Sequence, residues 1–441
     1  MTAIAYPVDT LPELARTLIV DSGAPDPGRL RLAQLRSKPG RGVTALLAPQ
    51  AGPRMWLRLD ACGASLETEG ADAALPGLHA ALAPQRGSSP WIELEGAARL
   101  LTGDPLARLT AADATVVRHK PGSRCVLRYA LTVTSAGRDR RVAVFAKLFA
   151  AVADAASAEA VLTALHGEQA AAGRVSVPRP LGVAESLGLA LTAAVGEEGR
   201  PPVPGTAMLR CDSGALPVDA LAAAAGALAA LHRSTVRPQG EQRDAAAVAK
   251  RVALLAGHAP CLATRLGAAG DELARVLATG AAPTAPVHGG FKPSQLVYTS
   301  ARRVTVTDFD GFRLGDPALD VGYFLAYLRP CSLWRGTAAS RAWFEAAAAA
   351  FTTAYARSML EAGRSADEVA ATLRRAPRHE AAALLKIAGR RPHRCNAPRP
   401  AELAAMLREI EGRIALAGSS ADSVSSHQQR RASSSPSPVR Q

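Results

Sequence analysis

The sequence predicts an α+β fold in which a β-rich part precedes a helical part, and three observations predict it. Three β-type runs, Thr115–Arg118, Cys125–Thr132 and Arg141–Leu148, follow one another across short polar connections, as consecutive strands do. Beyond the break Pro201-Pro202-Val203-Pro204-Gly205 the chain becomes alanine-rich and helical in period. Leu221, Leu228 and Leu231 fall near one side of Val218–Arg233, and Phe344, Phe351, Tyr355 and Met359 along one face of Arg341–Leu360. Inside the helical part, the runs Gln295–Thr299 and Arg303–Thr307 flank a Ser300-Ala301-Arg302 turn and read as a hairpin.

Taken in order, residues 1–108 form an extra N-terminal α/β region without a nameable motif. Leu30–Leu35, Val43–Leu47 and Met55–Leu59 read as short strands, separated by the turn signals Lys38-Pro39-Gly40 and Ala51-Gly52-Pro53. The segment Arg36–Gly40 (RSKPG) echoes Arg118–Gly122 (RHKPG), and each precedes a β-type run. The third strand of the next part ends in Phe145-Ala146-Lys147-Leu148-Phe149, one charge within an apolar run. Burying such a lysine is costly without an anionic partner. A helix follows from about Ala156 to Ala170, then a strand from Leu187 to Val195 running into Gly196-Glu197-Glu198-Gly199. The close, Gly418–Gln441, is rich in Ser, Pro and Arg without periodicity and reads as disordered.

Composition bounds the function. The chain has 441 residues, enough for two or three domains, and its 48% hydrophobic and 20% charged residues are those of an ordinary soluble protein. Pro7, Asp9, Pro12 and Glu13 interrupt any signal-peptide core, and the most apolar stretch, Ala220–Leu231, is too short for a bilayer. The expected location is therefore cytoplasmic, without a membrane partner. Six scattered cysteines form no zinc-type pair and read as buried thiols in a reducing compartment. The net charge of +14 would suit nucleic acid, but the cations are scattered and aromatics are only 4%, which argues against that partner. Only six of the 52 cationic residues are lysine, at positions 38, 120, 147, 250, 292 and 386. Where any cation will serve the chain uses arginine, so each lysine marks a place for a compact ammonium.

The most informative stretch is His288–Asp320, HGGFKPSQLVYTSARRVTVTDFDGFRLGDPALD. His288, Gly289, Pro293, Asp308, Phe309, Gly315, Asp316, Pro317 and Asp320 resemble the catalytic loop of the protein-kinase-like superfamily, and most closely its aminoglycoside phosphotransferase and choline kinase branch. Two positions depart from that pattern. Gly290 stands where the family has its catalytic Asp, and Gln295 where it has a metal-binding Asn.

The resemblance implies a two-lobed protein-kinase-like fold: a small β-rich lobe with one helix over residues 109–195, and a large helical lobe over 196–417 with its catalytic loop at 288–320. It implies transfer of the γ-phosphate of ATP to a hydroxyl of a small molecule, with Mg2+ held by Asp308 and Gln295. Lys292 would neutralise the moving phosphoryl group, and Lys147 with Glu159 would order the phosphates, Glu168 being the reserve. The loop His119–Arg124 would lie over them, using backbone N–H groups near Gly122 and Ser123 together with Lys120 and Arg124. His288 would hold the loop backbone or act as a base, and Asp310 is the nearest substitute for the missing carboxylate. Asp316 and Asp320 would support the loop, and His232 would pack or cap. The hinge at Gly196–Gly199 would receive the adenine.

A general base contributes about 10²- to 10⁴-fold, so its loss slows such an enzyme without abolishing nucleotide binding. The alternative is a pseudokinase that binds a nucleotide or a partner. From Cys331 to Ala417 fourteen Lys and Arg face eight Asp and Glu, which argues for a neutral or anionic acceptor over a polycationic one. Oligomeric state has no signal in the sequence.

Overall fold

The computed structural model describes residues 10–38, 42–52, 54–172, 175–196, 201–211, 215–237, 245–279, 284–392 and 398–432. The chain divides into two compact units. The first comprises Met1–Ala171, Val177–Val195 and Arg391–Ala397; the second comprises Ala172–Ser176, Gly196–Arg390 and Pro398–Gln441.

The first unit opens with α1 (Leu11–Asp21) and an antiparallel meander of β1 (Arg31–Lys38), β2 (Gly42–Ala48), β3 (Met55–Asp60) and β4 (Gly63–Thr68). Leu11, Ala15 and Ile19 recur at helical spacing and close a core with Ala45, Leu47, Leu57 and Leu59. Helices α2 (Leu78–Leu82) and α3 (Ser89–Thr102) lead to β5 (Arg108–Lys120), β6 (Arg124–Ser135) and β7 (Arg138–Phe149). After α4 (Val152–Ala172) come β8 (Pro180–Ala184) and β9 (Leu189–Ala193), and the antiparallel sheet has the order β5-β6-β7-β9-β8. Strict alternation buries Cys125, Leu127, Tyr129, Leu131 and Val133 of β6 on one face.

The sequence placed a boundary near residue 108, but the core of this sheet also takes Leu75, Leu78, Leu94, Ala97 and Ala98 from before it. An apolar sheet face must be covered, and the covering helices α2 and α3 carry no pattern that ties them to one sheet over another.

The second unit holds β10 (Val203–Pro204), α5 (Gly205–Met208), α6 (Val218–His232), α7 (Ala245–His258), α8 (Ala263–Ala278) and β11 (Ala285–Val287). The hairpin β12 (Leu296–Ser300) and β13 (Arg303–Val306) precedes β14 (Arg313–Gly315), and α9 (Ala318–Leu328), α10 (Ala338–Glu361), α11 (Ala366–Arg390) and α12 (Pro400–Ala432) complete it. β11 pairs antiparallel with β14, Val287 opposite Arg313, and so brings the residues that follow β11 beside Gly311 and Phe312, just before β14. Phe344, Phe351, Tyr355 and Met359 are buried along α10.

Two expectations meet a different outcome. Helix α12 runs to Ala432, into the tail read as disordered, because extending a packed helix adds a hydrogen bond per residue without a new nucleus; residues 433–441 lie outside the described residues. Of the cysteines expected to be buried, only Cys125 is; Cys62, Cys261 and Cys331 are exposed and Cys211 is half-buried, while Cys395 lies outside the described residues. Cys62, in the turn between β3 and β4, has no core to enter. Among the described residues no helix is long and apolar enough to cross a membrane.

Candidate active site

In the first unit the candidate nucleotide residues lie on β5, β6, β7 and α4. The alternation that buries Val144, Ala146 and Leu148 turns Lys147 to the opposite face of β7, where it is half-buried between Val126 and Ala190 on the neighbouring strands. Its ammonium lies 5.3 Å from the centroid of the Phe149 ring. Glu159 sits on α4 and accepts the Thr163 hydroxyl at 2.8 Å, one turn along.

Lys120, Gly122 and Ser123 form the tight connection between β5 and β6, where Gly122 has φ +71°. The two amides expected to meet phosphate are donated within the protein. Gly122 gives its N–H to Asp72 Oδ2 at 2.8 Å, and Ser123 gives its own to the Lys120 carbonyl at 3.1 Å. Neither amide is therefore left for an anion. The same Asp72 oxygen is 2.9 Å from His119 Nε2, and the Trp56 indole N–H donates to His119 Nδ1 at 2.9 Å. An indole can only donate, so Nδ1 accepts and Nε2 carries the proton given to Asp72. Trp56, His119 and Asp72 are all buried. Sequence reasoning missed this chain of three, since they lie 16 and 47 residues apart and share no spacing that marks a contact.

In the second unit His288–Asp320 forms a compact loop cluster around Asp320, which is fully buried. Its carboxylate accepts the backbone N–H of His288 at 2.6 Å and, at a longer 3.4 Å, that of Phe291. His232 Nε2 stands 3.5 Å away, and His232 Nδ1 is 2.8 Å from the Tyr355 hydroxyl. Burial pushes the Asp320 carboxyl up, but the partnership with His232 and the amide of His288 outweigh it and hold it below the usual range.

Asp316 does a parallel job at the start of α9. It accepts the Ala318 N–H at 3.0 Å, Arg375 through two N–H groups at 3.0 and 3.1 Å, Arg378 at 2.9 Å, and faces His379 at 3.2 Å. Burial raises this carboxyl too, and His379 and Arg375 more than reverse it.

His288 is buried between Phe291 and Phe309, with centroids 5.9 and 5.0 Å away. Its Nε2 lies 3.0 Å from the Thr307 carbonyl, to which it must donate, so Nδ1 carries the lone pair. Burial lowers its basicity despite the nearby Asp320. Gly289, at φ +70°, could carry no side chain: a Cβ would fall 2.2 Å from the Gly311 carbonyl oxygen. Gly290 is different. A Cβ there meets only His288 Nδ1, at 3.8 Å, so the place of the family carboxylate is open space.

Gln295 closes the short turn Pro293–Gln295, and its side chain donates Nε2–H to Asp308 Oδ2 at 2.7 Å. The Gln295 carbonyl accepts both the N–H and the hydroxyl of Thr307, at 2.9 and 3.1 Å. Asp308 itself adopts left-handed φ +65°, a strained conformation for a non-glycine residue that directs its carboxylate at Gln295. A carboxylate beside a carboxamide is a hard oxygen donor set suited to Mg2+, once the carboxamide turns its oxygen inward; such sites take their remaining ligands from phosphates and water. Among the described residues no three His, Cys, Asp or Glu cluster as a self-sufficient metal site. Lys292 is half-buried with its ammonium 5.6 Å from the Tyr327 ring centroid, and Asp310 is exposed on the turn after Asp308. A separate cavity of about 770 Å3, lined by α6 and the hairpin with Arg233, Arg302 and Arg303, includes none of these residues. The hinge residues Glu197–Gly199 lie outside the described residues.

Comparison with protein families matches residues 126–361, just over half of the chain, to the model described as "Phosphotransferase enzyme family". No curated protein matches. Among solved structures, a glucosamine kinase is similar at 19% identity over 95% of this chain and 99% of its own, with a TM-score of 0.44. The choline kinase LicA from Streptococcus pneumoniae is similar at 11% over 73% and 99%, with a TM-score of 0.40. An aminoglycoside-3'-phosphotransferase of type VIII is similar at 20% over 65% and 99%, with a TM-score of 0.38.

Proposed function

The chain belongs to the phosphotransferase enzyme family, and on that premise we propose that it transfers the γ-phosphate of ATP to a hydroxyl of a small molecule. The observation that carries the reading is the pair Asp308 and Gln295, joined at 2.7 Å at the foot of the hairpin. In that reading the bond between the γ-phosphorus and the bridging oxygen breaks as the acceptor oxygen binds phosphorus, ADP leaves, and the hydroxyl proton passes to solvent or to Asp310. A Mg2+ ion, when bound, would neutralise phosphate charge. The chain's own residues do the rest: Asp308 and Gln295 hold that ion, Lys147 and Glu159 order the phosphates, and Lys292 offsets charge on the transferred group. Because the transition state is loose, positioning and charge matter more than a base.

A second reading is favoured by one observation, the open space beside Gly290. A chain that keeps the ligand set and lacks the carboxylate suits a nucleotide-responsive binding module. Calorimetric titration of Mg·ATP into wild type, Lys147→Ala and Asp308→Ala tests both. Saturable binding weakened by each substitution supports the nucleotide site, and release of ADP with an acceptor then separates enzyme from module. No binding at millimolar nucleotide overturns both.

A further inference from the structure

The cavity lined by α6, the hairpin β12–β13 and Val175–Ser176 measures about 770 Å3, the size of a small-molecule site, and contains none of the loop residues described above. One wall comes from α6. Ala223, Ala227 and Ala230 recur at four and three residues, so they share one helix face, and none carries an atom beyond Cβ. That face leaves room beside it for a carbon skeleton.

The rest of the lining is polar, and its side chains donate. Arg302 and Arg303 at the hairpin turn and Arg233 just past α6 bring three guanidiniums to the cavity, together with the hydroxyls of Ser176, Thr299 and Thr305. Among the described residues that line it there is no Asp or Glu. Ser176 Oγ and Thr305 Oγ1 lie 3.1 Å apart, and the hydrogen bond between them uses one hydroxyl proton and leaves the other to donate. Arg233 keeps its Nε–H on the Ala229 carbonyl at 3.1 Å, which ties the guanidinium to the helix end. Arg302 pairs with Asp219 at 3.0 Å, but their side chains are 81% and 54% exposed, and an ion pair so open to water contributes little and yields to a competing anion.

A lining of donors calls for a ligand of acceptors. The guanidinium fork suits carboxylate and phosphate alike. A phosphate monoester brings three terminal oxygens and nearly two charges, more than a carboxylate offers to three guanidiniums and a spare hydroxyl. We infer that this cavity binds a small phosphate ester, with its phosphate on Arg233, Arg302 and Arg303 and its skeleton against the alanine face of α6. The site goes beyond the proposed function and does not depend on it, since Lys147, Gln295 and Asp308 take no part in the lining.

Calorimetry at constant ionic strength, with saturating Mg·ADP present to fill any nucleotide site, tests it with sn-glycerol 3-phosphate, inorganic phosphate and D-gluconate. Glycerol 3-phosphate binds at least about tenfold more tightly than gluconate. Arg302→Met with Arg303→Met, both at exposed positions, leaves the fold intact and weakens that binding about tenfold or more. Ala227→Phe keeps all three arginines but fills the cavity, and binding is lost; attraction to surface charge alone would not respond to it. No binding of glycerol 3-phosphate at about 10 mM, gluconate held as tightly, or indifference to the arginine substitutions overturns the inference. Inorganic phosphate held as tightly as the ester overturns the place given to the skeleton. A protein that binds glycerol 3-phosphate through these arginines but no ADP overturns the kinase reading and leaves this site standing.

Discussion

Gln295 gives its side-chain N–H to Asp308 Oδ2 at 2.7 Å, and the same residue's carbonyl takes two hydrogen bonds from Thr307. The extra methylene relative to Asn is absorbed by this lateral contact, which keeps the carboxamide against the carboxylate. Truncating Gln295 to Ala should raise the Mg2+ concentration for half-maximal nucleotide binding about tenfold, by removing one oxygen donor. Titration of the metal at fixed ATP checks it, and an unchanged midpoint would take Gln295 out of the metal set.

The neighbouring glycines should respond oppositely to a side chain. Gly289→Ala forces a Cβ to 2.2 Å from the Gly311 carbonyl at a left-handed φ, so the loop must rearrange and melting temperature should fall by several degrees. Gly290→Asp enters open space and should leave melting nearly unchanged. If a missing base limits the rate, it should also raise kcat about 10²-fold in ADP release with an accepted alcohol. A slower enzyme would place the limit elsewhere.

Asp72 holds Gly122 and His119 at once, in a buried place that no water would fill without cost. Asp72→Ala leaves two donors without their acceptor and should destabilise the protein by roughly 2–4 kcal/mol. Hydrogen exchange reads the local effect: the Gly122 amide, protected in wild type, should exchange at least about tenfold faster in Asp72→Ala. Equal exchange in the two would mean that the loop does not depend on the N-terminal region.

Asp316 and Asp320 are both held below the usual carboxyl range in the folded protein. A carboxyl depressed on folding contributes stability that is complete above its unfolded value, about 3.9, and is lost as pH falls from there through the folded value. Urea unfolding should therefore show stability falling steeply below about pH 4. Asp316→Asn, which leaves Arg375 and Arg378 without their anion, should cost about 3–5 kcal/mol at neutral pH and flatten that acid limb. An acid limb of unchanged slope would assign the loss to other carboxylates.

Much of the second unit was legible in the residues. His288 to Asp320 carries its order of turns, strands and acids locally, and its hairpin and helices answer to periodicities of two and 3.6. Family membership followed from that one stretch. The alternation around Lys147 likewise set which face of its strand it occupies.

The sequence by itself determined the family, the local elements and which residue types stand at Gly290, Gln295 and Asp308, because these depend on neighbours in the chain. Only the tertiary structure decided that Asp72 claims the Gly122 amide, that helices before residue 108 complete the core of the five-stranded sheet, and that Arg233 joins Arg302 and Arg303 at one cavity. Those contacts join residues dozens of positions apart. They are selected by burial and charge in three dimensions, and no periodicity along the chain records them.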